Sequence, residues 1–125
     1  MLANLQVYAT LPATDLERAK QFYAEKLGLT PEREVDGGYF YRCGAGSEFF
    51  LFVSQGSATG SHTQAGWVTD DIAGEVAALK ARGLVFEEYD SPDLRTVDGI
   101  ASIGPTKAAW FKDSEGNLLG LIQYA

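Results

Sequence analysis

The chain is poor in the residues that most often carry chemistry: it has one cysteine, Cys43, one histidine, His62, and one methionine. A single cysteine excludes an internal disulfide and any metal site built from several thiolates, so Cys43 is expected as a buried thiol packing as a small hydrophobe. A single histidine excludes a signature such as H-E-x-x-H and leaves, at most, one imidazole with scattered carboxylates around a metal. It also leaves Ser47, Ser54, Ser57, Ser61, Ser91, Ser102 and Ser114 sharing one candidate base, and no nucleophile motif emerges. Basic residues are few as well, ten Lys and Arg against seventeen Asp and Glu, a net charge of −7. Such a surface repels phosphate backbones and anionic membranes, which argues against nucleic-acid and membrane partners; it suits a cationic ligand, or plain solubility. Long apolar runs are missing too, none approaching the roughly 20 residues of a bilayer span. The opening Met-Leu-Ala-Asn-Leu-Gln has no basic stretch followed by an apolar one, so a cytoplasmic location is the expectation.

What the chain does have is a near-repeat. Thr14-Asp15-Leu16 opens an amphipathic pattern that runs to Leu27-Gly28, and Asp70-Asp71-Ile72 opens another that runs to Arg82-Gly83. Each is followed by short strand-like runs, a Gly-containing turn and a final apolar strand. The 125 residues, 46% hydrophobic and 22% charged, are enough for one domain with a real core. The expectation is an α+β fold of paired βαβββ modules forming a cupped mixed sheet, module one over about 1–56 and module two over about 64–125.

In detail, Leu5 to Leu11 alternates as a strand that Pro12 ends, with Tyr8 on the side opposite Val7 and Ala9. Thr14 and Glu17 form a capping box, and Leu16, Ala19, Phe22, Tyr23 and Leu27 make the apolar stripe of the helix that Gly28 stops. Pro31–Val35, Gly38–Cys43 and Glu48–Ser54 read as an antiparallel meander. Gly44-Ala45-Gly46 lies between two of these strands with no helix after it, so it is expected as a hairpin turn rather than a phosphate cradle. Gln55–Thr63 reads as a flexible linker, placing His62 in a loop, either solvated or at the mouth of a cup. The second unit has strands at Gln64–Val68, Val85–Tyr89, Lys107–Lys112 and Leu118–Gln123. Between the middle two lies a turn-rich excursion, Asp90–Gly99, a lid candidate. The acidic run Glu87, Glu88 and Asp90 reads as a solvated strand edge.

Aromatics are the most suggestive content. Tyr39, Phe40, Tyr41, Phe49, Phe50, Phe52, Trp67, Trp110 and Phe111 all fall on predicted strands, and alternation sends them to both faces. One face packs on helices. The other lines a concavity, a dimer interface or solvent.

The segments DLERAKQFYAEKLGL, VTDDIAGEVAALKARG and AAWFKDSEGNLLGLIQ resemble the vicinal oxygen chelate superfamily, the glyoxalase, bleomycin resistance and extradiol dioxygenase group, over nearly the whole chain. The resemblance implies paired βαβββ modules, a homodimer and a ligand-binding cup, and it does not by itself imply catalysis. The family's metal ligands, carried over by offset, fall on Tyr8, Phe52, Gln64 and Gly120. None of these is a competent ligand for the expected divalent ion, and their sequence neighbours offer at most one hydroxyl. No metal and no cofactor are therefore expected. The expected function is metal-independent binding of a hydrophobic, aromatic or cationic small molecule, such as an antibiotic to be sequestered. Tyr8, Tyr41, Phe50, Phe52, His62, Gln64, Trp110 and Gly120 are the candidate ligand-binding residues. The alternative is a lyase, isomerase or dioxygenase-like enzyme with a non-standard metal or metal-free acid–base chemistry; no catalytic residue is assigned.

Overall fold

The computed structural model describes residues 1–56 and 58–125; Ser57, inside the expected linker, lies outside the described residues. The first unit runs β1 (Ala9–Ala13), α1 (Leu16–Phe22), β2 (Arg33–Val35), β3 (Gly38–Arg42) and β4 (Glu48–Val53). The second runs β5 (Thr63–Val68), α2 (Ile72–Ala81), β6 (Thr96–Val97), β7 (Ile100–Ile103), β8 (Thr106–Lys112) and β9 (Leu118–Gln123). The first sheet has four strands in the order β1-β4-β3-β2 and the second five in the order β5-β9-β8-β7-β6. In each, the strand before the helix pairs parallel to the last strand of its unit, and the other pairings are antiparallel. This is the α+β fold of repeated βαβββ units expected from the near-repeat, with β6 added to the second.

Several local expectations shift, each for a physical reason. Pro12 does not end the first strand but lies inside it, opposite Phe52. β1 is an edge strand, and an edge is where a proline's missing N–H costs no ladder bond. The helix cap is Asp15, not Thr14: the Asp15 carboxylate accepts from the Arg18 N–H at 3.0 Å. The last turn of α1, Tyr23–Leu27, widens into a π-helix that Gly28 closes at a φ of 71°. α2 is capped in the same way, Asp71 accepting from the Gly74 N–H at 3.1 Å. The expected strand Val85–Tyr89 is reduced to one bridge, Phe86 against Phe111. The excursion after it does not form a loose lid. It folds back through the Asp90–Arg95 bridge into β6, which pairs with β7 and extends the second sheet.

Between β3 and β4 the turn closes as a hairpin, the Ser47 N–H donating to the Gly44 carbonyl at 3.1 Å. Gly60 lies against the β8–β9 turn; a Cβ there would stand 2.9 Å from the Lys112 side chain and 3.2 Å from the Gly116 carbonyl.

The two units share one core. Leu11, Ala19, Tyr23, Tyr41, Phe49 and Leu51 of the first are continuous with Ile72, Val76, Phe86, Phe111, Leu119 and Leu121 of the second. The Phe49 ring meets Trp67 edge-on at 5.9 Å. The turn Asp113-Ser114-Glu115-Gly116-Asn117 ties the units together from the polar side. Asp113 accepts from the buried Tyr23 hydroxyl at 2.7 Å, from the Asn117 side chain at 2.8 Å, and from the backbone of Glu115 and Asn117. Asn117 in turn donates to the Pro12 carbonyl at 3.0 Å. Glu115 reaches the N-terminal end of α1, where it accepts from the Thr14 and Asp15 N–H groups, each at 3.1 Å, and from the Arg18 guanidinium at 2.8 Å. The Arg18 bonds hold the Glu115 carboxyl down to about 2, against the opposing effect of burial. Burial, reinforced by the Asp113 charge, pushes the Tyr23 phenol well up.

Candidate functional site: an aromatic sheet face

Each sheet turns one side to the shared core and leaves the other side outward. In the first sheet, register pairs Phe40 with Phe50, Gly38 with Phe52, Thr10 with Phe50 and Pro12 with Phe52, so these residues share the outward side. Their rings form a continuous ladder: Phe40 stacks on Phe50 at 4.5 Å, Phe50 on Phe52 at 6.2 Å, and Tyr8 leans on Phe40 at 5.8 Å. The three phenylalanines are half-buried and Tyr8 is exposed.

Gly38 makes this possible. A Cβ there would collide with the Leu51 backbone carbonyl and stand 2.8 Å from two carbons of the Phe50 ring, which lies over the bare backbone of β3. At the other end of the ladder, the Arg33 guanidinium sits 4.0 Å from the centre of the Phe40 ring, a cation–π contact, and bonds Glu48 at 2.7 Å. Arg42 and Glu32 form a further pair at 2.9 Å. The face is thus aromatic over most of its length, with a self-paired charged rim. It offers a ligand ring surface, one phenol and one guanidinium.

Tyr41 takes no part in this face. Alternation puts it on the inner side, fully buried, stacked on Phe49 at 4.7 Å and close to Tyr23 at 5.4 Å. Burial pushes its phenol up, and among the described residues its hydroxyl has no hydrogen-bond partner. Trp110 and Gly120 are paired neighbours on the outward side of the second sheet, with the Tyr89 ring edge-on to Trp110 at 5.6 Å. A Cβ on Gly120 would stand 3.5 Å from both the Trp110 ring and the Thr63 methyl group. Gln64 falls at the irregularity between Thr63 and Ala65, where the β5 register shifts. His62 is exposed, and its Nδ1 meets the Ser61 hydroxyl at 3.4 Å. Cys43 is half-buried against the core.

The structure therefore groups Tyr8, Phe50 and Phe52 on one face, and Trp110 with Gly120 on another, with no ring contact between the two faces among the described residues. It adds Phe40, Gly38 and Arg33 to the first group. Phe40 was open to sequence reasoning, since a hairpin centred on Gly44–Gly46 places it opposite Phe50. The fit of Gly38 under a ring had no sequence signal.

The donor set at the four positions that the resemblance assigns to metal ligands is a phenol, a benzyl group, an amide and a hydrogen atom, from Tyr8, Phe52, Gln64 and Gly120. Among the described residues no three His, Cys, Asp or Glu side chains converge as a metal site. These residues do not fit the divalent ion of the metal-dependent members. Among the described residues, no helix is long and apolar enough to cross a membrane.

Solved structures with the same fold carry varied names. A glyoxalase/bleomycin resistance protein/dioxygenase from Alicyclobacillus acidocaldarius matches over 97% of this chain and 92% of its own at 21% identity, with a TM-score of 0.70. A virulence protein from Salmonella typhimurium matches over the full length of both chains at 20% identity, with a TM-score of 0.66. TnmS3, an antibiotic binding protein from Streptomyces sp. CB03234, matches over 98% of both chains at 25% identity, with a TM-score of 0.63. No curated protein matches the sequence. The family model for the Glyoxalase/Bleomycin resistance protein/Dioxygenase superfamily matches residues 5–121, and the chain belongs to that superfamily.

Proposed function

We propose that this protein binds a planar aromatic small molecule, without a metal, against the outward face of its first sheet. The observation that carries the reading is the ladder Phe40–Phe50–Phe52, near-parallel rings on an open face with Tyr8 tilted against its Phe40 end. A protein gains nothing in its own core from rings placed there, whereas a flat ligand adds one more layer to the stack. The net charge of −7 favours a cationic ligand, and the uncovered Phe50 and Phe52 rings offer it aromatic surface away from Arg33. The antibiotic-binding relative supports sequestration of a toxic compound as the role.

One wall does not enclose a ligand. Trp110, Gly120 and Gln64 are carried by the second sheet, so a second copy of the chain, offering that sheet across a homodimer interface, completes the site. Leu2, Leu5 and Val7, which are 84%, 65% and 90% exposed ahead of β1, supply apolar surface for the same contact.

The test uses proflavine, a planar cation, with anthraquinone-2-sulfonate as the planar anion, titrated by calorimetry into the wild type and Phe50→Ala, before and after chelation with EDTA. Proflavine is expected to bind with or without EDTA, and Phe50→Ala to lose about tenfold or more in affinity, the worth of one good aromatic contact. Undiminished binding by Phe50→Ala, or binding abolished by EDTA, contradicts the reading. Sedimentation is expected to show a dimer; a monomer that binds as tightly removes the second wall.

A further inference from the structure

A second cavity, about 250 Å³ in volume, opens on the opposite, helix-covered side of the molecule, where the two units meet. Its walls are Leu27 and Leu29 at the end of α1, Leu79 of α2, and Trp67 and Phe111 of the second sheet. The floor is firm: Trp67 lies nearly parallel to Phe111 at 6.3 Å and is braced edge-on by Phe49. Leu27, Leu29, Trp67 and Leu79 pack against the core yet remain only partly buried, so apolar surface stays open to the cavity. Glu75, one turn before Leu79 on the same face of α2, also lines the cavity. Among the described residues Glu75 forms no ion pair. It is the one charged side chain of the lining.

An apolar slot with a single free carboxylate selects for one kind of molecule: an aromatic or aliphatic body of matching size carrying a cationic head. The volume lies just under the roughly 300–1,000 Å³ of drug-sized sites, which limits the body to about one aromatic ring with a short chain. We infer that this cavity is a binding site for small arylalkylamines, the ring resting on Trp67 between Leu27 and Leu79 and the ammonium donating to Glu75. The site shares no residue with the aromatic ladder and does not depend on what binds there.

The molecule's two tryptophans separate the sites, since Trp67 lines this cavity and Trp110 lies on an outward sheet face. The indole N–H signals of the ¹⁵N-labelled full-length protein, assigned with Trp67→Phe and Trp110→Phe, are followed during titration with 2-phenylethylamine, 2-phenylethanol and 3-phenylpropanoate. The amine is expected to shift the Trp67 signal saturably and leave that of Trp110 in place. It is expected to bind about tenfold tighter than the alcohol, the scale of one charge-assisted hydrogen bond, with the carboxylate weaker still. Glu75→Gln, on an exposed helix position, is expected to bring amine and alcohol within about twofold of each other while retaining the alcohol's binding. A Trp67 signal unmoved by the amine, equal affinities for amine and carboxylate, or an unchanged preference in Glu75→Gln each overturns the assignment. Loss of proflavine binding in Phe50→Ala with the Trp67 response intact would leave this site standing on its own.

Discussion

The two faces of the first sheet are made by the same strands from nearly the same residues, yet they meet different ends. On the inner face Tyr39, Tyr41, Phe49 and Leu51 are 4%, 0%, 5% and 0% exposed. They lie under α1, which lays Tyr23 on Tyr41 and Phe49 and bonds Glu17 to the Tyr39 hydroxyl at 3.1 Å. On the outer face Phe40, Phe50 and Phe52 are stacked just as regularly and stay half-open. Alternation of apolar residues makes a face worth covering; it does not say whether the cover is a helix of the same chain, a second copy or a ligand. The contrast teaches that the inner rings hold the fold, while the outer rings are left uncovered by the chain that carries them.

Mutations break this contrast in a definite order. Phe49→Ala should be the most damaging, costing about 3–5 kcal/mol in chemical denaturation as a cavity opens in the shared core. Phe50→Ala, on the next residue, should cost only about 1–2 kcal/mol, the scale of its two ring–ring contacts; equal losses at both positions would erase the distinction between the faces. Gly38→Ala should cost about 3 kcal/mol by driving a Cβ into the Leu51 carbonyl and the Phe50 ring, and should weaken proflavine binding with it. Glu115→Ala comes next, at about 1–3 kcal/mol, because it removes the acceptor for two N–H groups of α1 and for Arg18. The native carboxyl titrates at about 2 instead of the ordinary 4.5. Its stabilisation is therefore complete above the ordinary value and is lost as pH falls from there toward 2. Glu115→Gln should flatten that acid limb in pH-dependent melting, and an unaltered limb would dissociate Glu115 from the clamp. Arg33→Ala should be the mildest, about 0.5 kcal/mol for an exposed cation–π contact, detectable as a small shift in melting temperature.

How much of this could be read beforehand follows the range of the interactions. The repeat was legible because helix stripes and strand alternation are local: α2 begins at Ile72 with Asp71 as its cap, within the expected Asp70-Asp71-Ile72, and β9 spans the expected Leu118–Gln123. The Thr14 cap failed because the Thr14 hydroxyl is drawn to Glu115, 101 residues away, a partner that no local window contains. Pro12 was misplaced because the edge position of β1 is a property of the whole sheet. β6 and β7 were missed because Asp98-Gly99 breaks the run into strands too short to show a period. At the site, the sequence sends the aromatics to both faces without saying which residue faces where, and Tyr41, grouped there with Phe50 and Phe52, pairs with Phe49 on the inner face instead. That Tyr8 joins the ladder while Trp110 belongs to a separate face depends on how the two units pack, through contacts such as Tyr23 with Asp113.

The most direct measurement is a crystal structure of the protein with proflavine. The account predicts the tricyclic ring stacked on Phe40 and Phe50, with the Trp110 face of a second copy across from it. Proflavine bound elsewhere, with the Phe40–Phe50–Phe52 ladder covered by neither ligand nor partner, would contradict it.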